Sequence, residues 1–333
     1  MRNPVIDFHG VTFKFIGDPH LGRVFTRNVP MSKRGLREKS VELELDANFK
    51  EYKDFTIVVG DLFDSFRVTN EILLKARDII LKFIPKKTHI ILIPGNHDFC
   101  KDKSKMSSYQ VLANLLRPYE GEKLTIIERH PKVIYHEGIA IYLDAYCPFY
   151  GEPKLNVEIE PDTPLISIGH WDDPRFEKGY LPPKELVERS ELLVSGHVHI
   201  PGTFEKFVFT GSLQPYGHGE DPECTHYKTY TYKEIERVIR SDVLLDQEGV
   251  ARKNIRINCY PGYYLPVPLN CMALSYNPIL DTPEGPTSVE DLDLADFNTS
   301  YLLTLKTEHD IEEELLIKIG DFLKNEEITE FKL

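Results

Sequence analysis

Hydrophobic and polar positions follow two alternating periods along the first two-thirds of the chain. Short apolar runs rich in β-branched residues fall at Val11–Ile16, Phe55–Val59, His89–Ile93, 138–143, 165–168 and 192–194, and predict buried strands. Between them the period lengthens. Ile72, Leu73, Ala76, Ile79, Ile80 and Phe83 form a helical stripe over 71–84 that Pro85 ends, and further helices are predicted over 107–116 and 183–190. Strands interleaved with helices are the pattern of a layered α/β fold. From about Thr225 the pattern weakens. Prolines recur, an acidic stretch over 281–296 reads as loop or linker, and only a strand over 301–305 and an amphipathic helix over 311–323 stand out. The expected division is a main domain over 1–224 and a small C-terminal α+β accessory or capping domain over 225–333.

The polar residues gather where the predicted strands end. Val11–Ile16 leads into Gly17-Asp18-Pro19-His20, and Phe55–Val59 into Gly60-Asp61-Leu62-Phe63-Asp64. His89–Ile93 leads into Pro94-Gly95-Asn96-His97-Asp98, 165–168 into Gly169-His170, and 192–194 into Ser195-Gly196-His197-Val198-His199. In open α/β sheets the ligand site lies outside the carboxyl ends of the strands, and glycine lets the chain turn sharply there. Carboxylate, imidazole and amide oxygen without thiolate suit manganese, iron or zinc better than an iron–sulfur centre. Asp18 with His20, and His197 with His199, stand two apart, so an extended backbone would point each pair to one side. One histidine at a strand end is ordinarily structural, and one aspartate after glycine is ordinarily a turn residue. Recurrence at successive strand ends makes a site the better reading.

The ordered series Asp-x-His, Gly-Asp-x-x-Asp, Gly-Asn-His-Asp, Gly-His and Gly-His-x-His resembles the calcineurin-like metallophosphoesterases, over roughly residues 11–215. The resemblance implies a metallophosphoesterase β-sandwich flanked by helices, holding two divalent metal ions, manganese foremost, with iron, zinc or magnesium as alternatives. It implies that Asp18, His20 and His199 hold one ion, that Asn96, His170 and His197 hold the other, and that Asp61 bridges them. His97 matches the family's catalytic histidine that is not a ligand, and Asp98 its orienting partner. Asp18-Pro19-His20-Leu21-Gly22, the Gly60–Asp64 and Gly95–Asp98 motifs, Ser107-Ser108 before a helix, and Gly211-Ser212-Leu213-Gln214-Pro215 are similar to SbcD-type nuclease subunits that process DNA ends in double-strand-break repair. That similarity implies phosphodiester hydrolysis on DNA, by an exonuclease with added endonuclease activity acting in recombination or repair. It also implies an SMC-like ATPase partner of the SbcC type; a homodimer stays open.

Charge changes this picture only locally. A net charge of −13, from 40 basic and 53 acidic residues, argues against indiscriminate binding of nucleic acid. Yet Arg23, Arg27, Lys33, Arg34, Arg37 and Lys39 follow the first motif against the single acid Glu38, and Lys101, Lys103 and Lys105 follow the third. Arg23, Arg27 and Lys101 are therefore read as substrate contacts on a cationic rim; the bland reading is a solvated loop. Asp64 either orients a ligand histidine or contacts substrate. Phe25, Phe99 and Tyr109 either stack on bases or cover the core.

Two rival functions remain. One is the same chemistry on a nucleotide, cyclic dinucleotide or phosphoprotein, with the insertion over 23–48 shaping a closed pocket and Trp171 stacking on a base. The other is a non-catalytic protein-binding scaffold, which the complete set of Asp18, His20, Asp61, Asn96, His97, His170, His197 and His199 disfavours. Five scattered cysteines form neither a disulfide framework nor a zinc-ribbon spacing, so a reducing compartment, the cytoplasm (the host's, for a viral protein), is expected. No apolar run approaches the length that spans a bilayer, and no membrane association is expected.

Overall fold

The computed structural model describes residues 2–27, 29, 31–85, 88–100, 102, 104–146, 157–176, 179–223, 225–231, 253–259 and 272–278. The chain divides into two compact units, 1–24 with 35–216, and 25–34 with 217–333.

The first unit is built on two sheets. One contains β1 (Val5–Phe8), β2 (Val11–Ile16), β3 (Phe55–Val59), β4 (His89–Ile93) and β5 (Leu124–Ile126), in that spatial order. β1 and β2 form an antiparallel hairpin, and β2 to β5 run parallel, with Phe13 opposite Phe55 and Phe55 opposite His89. The other sheet contains β6 (Lys132–His136), β7 (Ile139–Leu143), β8 (Leu165–Gly169), β9 (Leu192–Ser195), β10 (Gly202–Phe204) and β11 (Phe207–Phe209), in the order β10-β11-β9-β8-β7-β6.

Side chains alternate across a pleated strand, so each sheet offers one face to a shared core. Val11, Phe13 and Phe15 of β2 and Phe55, Ile57 and Val59 of β3 meet Ile139, Ile141 and Leu143 of β7 and Ile166 and Ile168 of β8 in one buried cluster. Helices cover the outer faces. On the second sheet, Leu186 of α4 (Lys184–Arg189) joins Tyr142, Leu165, Leu193 and Trp171. On the first lie α1 (Leu36–Phe49), α2 (Asn70–Phe83) and α3 (Ser108–Leu116). Phe49 of α1 stacks on Phe83 of α2 at 5.7 Å between ring centroids. The Thr69 hydroxyl accepts the Ile72 N–H to start α2, and Ser107 and Gln110 form a reciprocal capping box at α3. This is the expected sandwich flanked by helices.

The insertion over 23–48 is not the plain loop that its charge suggested. It carries most of α1, whose buried positions Arg37, Val41, Leu45 and Phe49 recur every fourth residue. So narrow a stripe, with an arginine in it, is masked by surrounding charges. The Arg37 guanidinium is buried and donates to the Pro215 carbonyl, so it is an internal clamp rather than part of a cationic rim.

Within the described residues, the second unit holds a three-stranded parallel sheet, β12 (Tyr227–Thr231), β13 (Asn254–Cys259) and β14 (Ala273–Pro278). The acidic stretch over 281–296, the strand predicted over 301–305 and the helix predicted over 311–323 lie outside the described residues. No described helix is long and apolar enough to cross a membrane.

Past the end of β7, Asp144 accepts a hydrogen bond from the Trp171 indole at 2.8 Å and one from the Tyr180 hydroxyl at 3.3 Å. Burial pushes its carboxyl up to about 6, although both hydrogen bonds favour the ionised form. The folded state thus holds this proton more tightly than the unfolded chain. The associated stability is present below about pH 4 and is lost as pH rises through about 6, by about 3 kcal/mol. Asp144→Asn keeps an acceptor for the indole and removes the titration. Urea melts in chelator should show the variant gaining on the parent progressively between pH 4 and pH 7; a pH-independent difference would contradict this.

Candidate metal centre

The parallel strands β2, β3, β4, β8 and β9 deliver all five motifs to the first unit's strand ends. The turns that follow are tight. Asp18, His20, Asp61 and His197 have φ of 23°, 47°, 45° and 68°, in the left-handed region that side chains other than glycine rarely adopt. Such residues cost about 1–3 kcal/mol each and persist only where their surroundings over-determine them. The pairs Asp18/His20 and His197/His199 therefore reach the centre from left-handed turns, not from the extended backbone that their spacing suggested.

The surroundings do over-determine them. The His20 N–H donates to the Asp61 carbonyl at 2.9 Å and the Leu21 N–H to the Leu62 carbonyl at 2.9 Å, which ties the first two motifs together. The Tyr216 hydroxyl donates to the carbonyls of Asp18 and Pro19 at 3.2 and 2.5 Å. Arg2 donates to the carbonyls of His199 and Ser212, and Asn3 accepts the Gly17 N–H while donating to the Leu213 carbonyl. Glycines supply space as well as turning. A Cβ on Gly60, at φ +94°, would stand 2.0 Å from Nδ1 of His170, and one on Gly95 would stand 2.2 Å from Oδ1 of Asp61.

Two clusters of donor atoms face each other across Asp61, and a further grouping of His20, Asp64 and His97 shares His20 with the first. In the first, Asp18, His20 and His199 place ligand-type atoms within 4.8 Å of one another, with the two Nε2 atoms of the histidines 3.1 Å apart. In the second, Asp61, His170 and His197 do the same, and Asn96 joins them. Asn96 Oδ1 lies 3.0 Å from His170 Nε2 and 2.9 Å from His197 Nδ1. Asp61 stands between the clusters, its Oδ2 3.4 Å from His170 Nε2 and 3.7 Å from His20 Nε2.

The hydrogen bonds around these atoms show that they fit metal ions. Asp61 Oδ1 accepts the His97 N–H at 2.8 Å, which leaves Oδ2 to face both clusters. Asp18 Oδ1 accepts the His197 N–H at 3.2 Å, and Asp18 Oδ2 is buried with no hydrogen-bond partner, 3.4 Å from His199 Nε2. Nδ1 of His170 faces the Val59 carbonyl at 2.9 Å and donates to it, so Nε2 is the nitrogen turned to the cluster. Carboxylate and amide oxygens thus converge with imidazole nitrogens, a donor set that a divalent cation satisfies once it displaces the proton that His170 holds there.

The charges agree. Burial lifts the Asp18 carboxyl above its ordinary value against the pull of His170, with Asp61 adding repulsion. Burial opposes ionisation of Asp61 too, but His170, His20 and His97 hold it well below the carboxylate range. Burial alone would lower His170, yet Asp61 and Asp18 outweigh it and raise the imidazole to about 10. Buried negative charge here draws positive charge to itself.

The remaining expected residues fall in different places. His97 is partly exposed beside the first cluster, its ring edge-on to His20 at 4.8 Å, and its Nδ1 lies against the Asp64 carbonyl at 2.5 Å. Asp98 was expected to orient His97. Its oxygens instead accept the N–H groups of Leu62, Phe63 and Gly95, so it locks the second motif to the third. The Asp64 carboxylate lies 3.3 Å from His20 Nδ1 and 3.5 Å from Arg23, whose guanidinium sits over the Tyr216 ring. Arg27 belongs to the second unit, and Lys101 lies outside the described residues. Trp171 is fully buried and offers no stacking surface, while the Tyr109 hydroxyl is spent on the carbonyls of Leu92 and Ile127. Sequence reasoning missed Asp172, whose Oδ1 lies 2.9 Å from His197 Nε2. Its only sequence signal is its place two residues beyond His170.

The clearance at Gly60 gives a direct check. Gly60→Ala should drive His170 off the Val59 carbonyl, destabilise the fold by about 1–3 kcal/mol, and lower the divalent metal retained per chain after desalting. Wild-type metal content and stability in the variant would contradict the packing described.

Comparison with known proteins agrees with this geometry. The family described as calcineurin-like phosphoesterase matches residues 11–201, from the start of β2 to beyond β9. No curated protein matches the chain. Among solved structures, the phosphopantetheinyl hydrolase from Mycobacterium tuberculosis is similar at 16% identity, covering 61% of this chain and 93% of its own, with a TM-score of 0.35. A protein of unknown function from Aquifex aeolicus is similar at 22% identity, covering 60% of this chain and 89% of its own, with a TM-score of 0.29. Both are too distant to bear on substrate. The family match spans more than half of the chain and contains both donor clusters, and on that ground the chain belongs to the calcineurin-like phosphoesterases and is a metal-dependent hydrolase of phosphate esters.

Proposed function

We propose that this hydrolase cuts phosphodiesters in DNA, as a nuclease of the SbcD type, with manganese ions held by Asp18, His20 and His199 and by Asn96, His170 and His197, and with Asp61 shared. The observation that carries the reading is the pair of groups flanking the first cluster. His97 stands beside His20, and Arg23 stands beside Asp64. A nucleotide leaves as a basic alkoxide and needs a proton; a phosphate chain needs a cation to position it.

Two divalent cations at such a centre lower the pKa of water and neutralise charge on the phosphoryl oxygens. The chain's own residues do the rest. The Asp64 carbonyl accepts Nδ1–H of His97, which leaves Nε2 as the ring atom through which the imidazolium form passes a proton to the leaving oxygen. Arg23, braced on Tyr216, presents its guanidinium to a neighbouring phosphate without reading a base. The motif similarity to SbcD-type subunits supports DNA as substrate and an SMC-like ATPase of the SbcC type as partner.

One observation favours a second reading, a nucleotide or cyclic dinucleotide. Tyr146 lies 6.2 Å from the His170 ring, 5.0 Å from Tyr180 and 6.2 Å from Phe99, an aromatic group on which one base could stack.

The test is manganese-dependent hydrolysis of end-labelled single- and double-stranded DNA, a small chromogenic phosphodiester and a phosphomonoester, by the parent protein and His97→Ala. The variant should keep its metals and lose about 10²–10⁴-fold in turnover. Intact DNA alongside rapid turnover of the small esters would replace the nuclease reading with the second one. Unchanged turnover in the variant would remove His97 from the chemistry.

A further inference from the structure

We propose that Asp172 is a positioning residue that fixes the tautomer of His197, so that Nδ1 and not Nε2 faces the second metal site. This rests on the proposed metal role of His197.

The geometry around the ring is asymmetric. Nδ1 lies 2.9 Å from Asn96 Oδ1 and 3.3 Å from His170 Nε2, whereas Nε2 lies 2.9 Å from Asp172 Oδ1. A neutral imidazole carries one proton, and a carboxylate only accepts, so the proton belongs on Nε2. Nδ1 is then a lone pair aimed into the cluster. Without Asp172, no other group among the described residues selects that tautomer at Nε2, and the Nδ1–H form would turn a proton towards the metal site.

Asp172 is itself held for this purpose. Its Oδ2 accepts the Tyr180 N–H at 2.6 Å, its own N–H donates to the Tyr180 carbonyl at 2.9 Å, and Oδ1 is left for the histidine. Gly179, at φ +104°, makes the approach: a Cβ there would stand 2.2 Å from Asp172 Oδ2. The Tyr180 hydroxyl is in turn anchored on the Ala145 carbonyl at 3.0 Å, so the segment that grips Asp172 is tied to the end of β7. The centre repeats this device. Val59 fixes His170 through its carbonyl, and Asp64 faces Nδ1 of His20 at 3.3 Å. Partners of this kind are worth about 10–100-fold in metal affinity. An ordinary surface ion pair would contribute little to stability and nothing to metal binding.

The experiment compares the parent protein with Asp172→Ala and Asp172→Asn. Nitrogen-15 spectra of the His197 imidazole, recorded in chelator, read the tautomer, and calorimetric titration with manganese reads the two binding events. The parent should show Nε2–H. Asp172→Ala should show a tautomer mixture and a second manganese equivalent weakened by about 10–100-fold, with the first unchanged. Asp172→Asn has a single acceptor oxygen, which the Tyr180 N–H claims, so its amide NH2 turns to Nε2; it should shift the ring towards Nδ1–H and weaken the second equivalent at least as much as Asp172→Ala. A single Nε2–H tautomer in Asp172→Ala, or loss of both equivalents together in either variant, would overturn the proposal. The tautomer is read without metal, so uptake of fewer than two equivalents by the parent would count against the metal reading alone.

Discussion

Two buried carboxylates that cannot be neutralised by hydrogen bonds alone dictate the rest of this structure. Asp18 and Asp61 each give one oxygen to a backbone N–H and turn the other towards imidazole nitrogens, and both are almost wholly removed from solvent. An uncompensated buried carboxylate is expensive. The surrounding histidines reduce that cost only in part, because their nitrogens face one another as well as the carboxylates. Divalent cations would meet the whole requirement, and the architecture holds the donors in place for them.

The holding is done at long range. Left-handed turns at Asp18, His20, Asp61 and His197 would relax if each motif stood alone. They are pinned to one another through Asp98 and the Asp61 carbonyl, to the N-terminal segment through Arg2 and Asn3, and to the segment around Leu213. α1 serves the same end. Arg37 grips the Pro215 carbonyl, and Ser40 and Glu44 accept from the Gln214 amide. Tyr216, the last residue of that segment, then reaches the carbonyls of Asp18 and Pro19. Residues far apart in sequence thereby set the geometry of one aspartate.

Much of this was legible in the sequence, for a physical reason. A buried parallel strand reads as a continuous apolar run, and a donor immediately beyond it has few places to go, so β2, β3, β4, β8 and β9 and their motifs could be located from residue type alone. What depended on three-dimensional proximity could not. α1 hid because Val41, Leu45 and Phe49 sit among charges and share their row with Arg37. Asp98 looked like a partner for its neighbour His97, yet its oxygens found three N–H groups, two of them in another motif. Trp171 looked available beside His170 and is instead core, with its indole committed to Asp144. Asp172 carried no spacing signal because its role appears only once the turn after β9 brings His197 back to it.

The central claim is that these donors form one centre for two cations that share Asp61. Anomalous diffraction from manganese-soaked crystals tests it most directly. Two peaks about 3.5–4 Å apart are expected, one among Asp18, His20 and His199 and the other among Asn96, His170 and His197, with Asp61 touching both. A single peak, or two peaks without Asp61 between them, would contradict it.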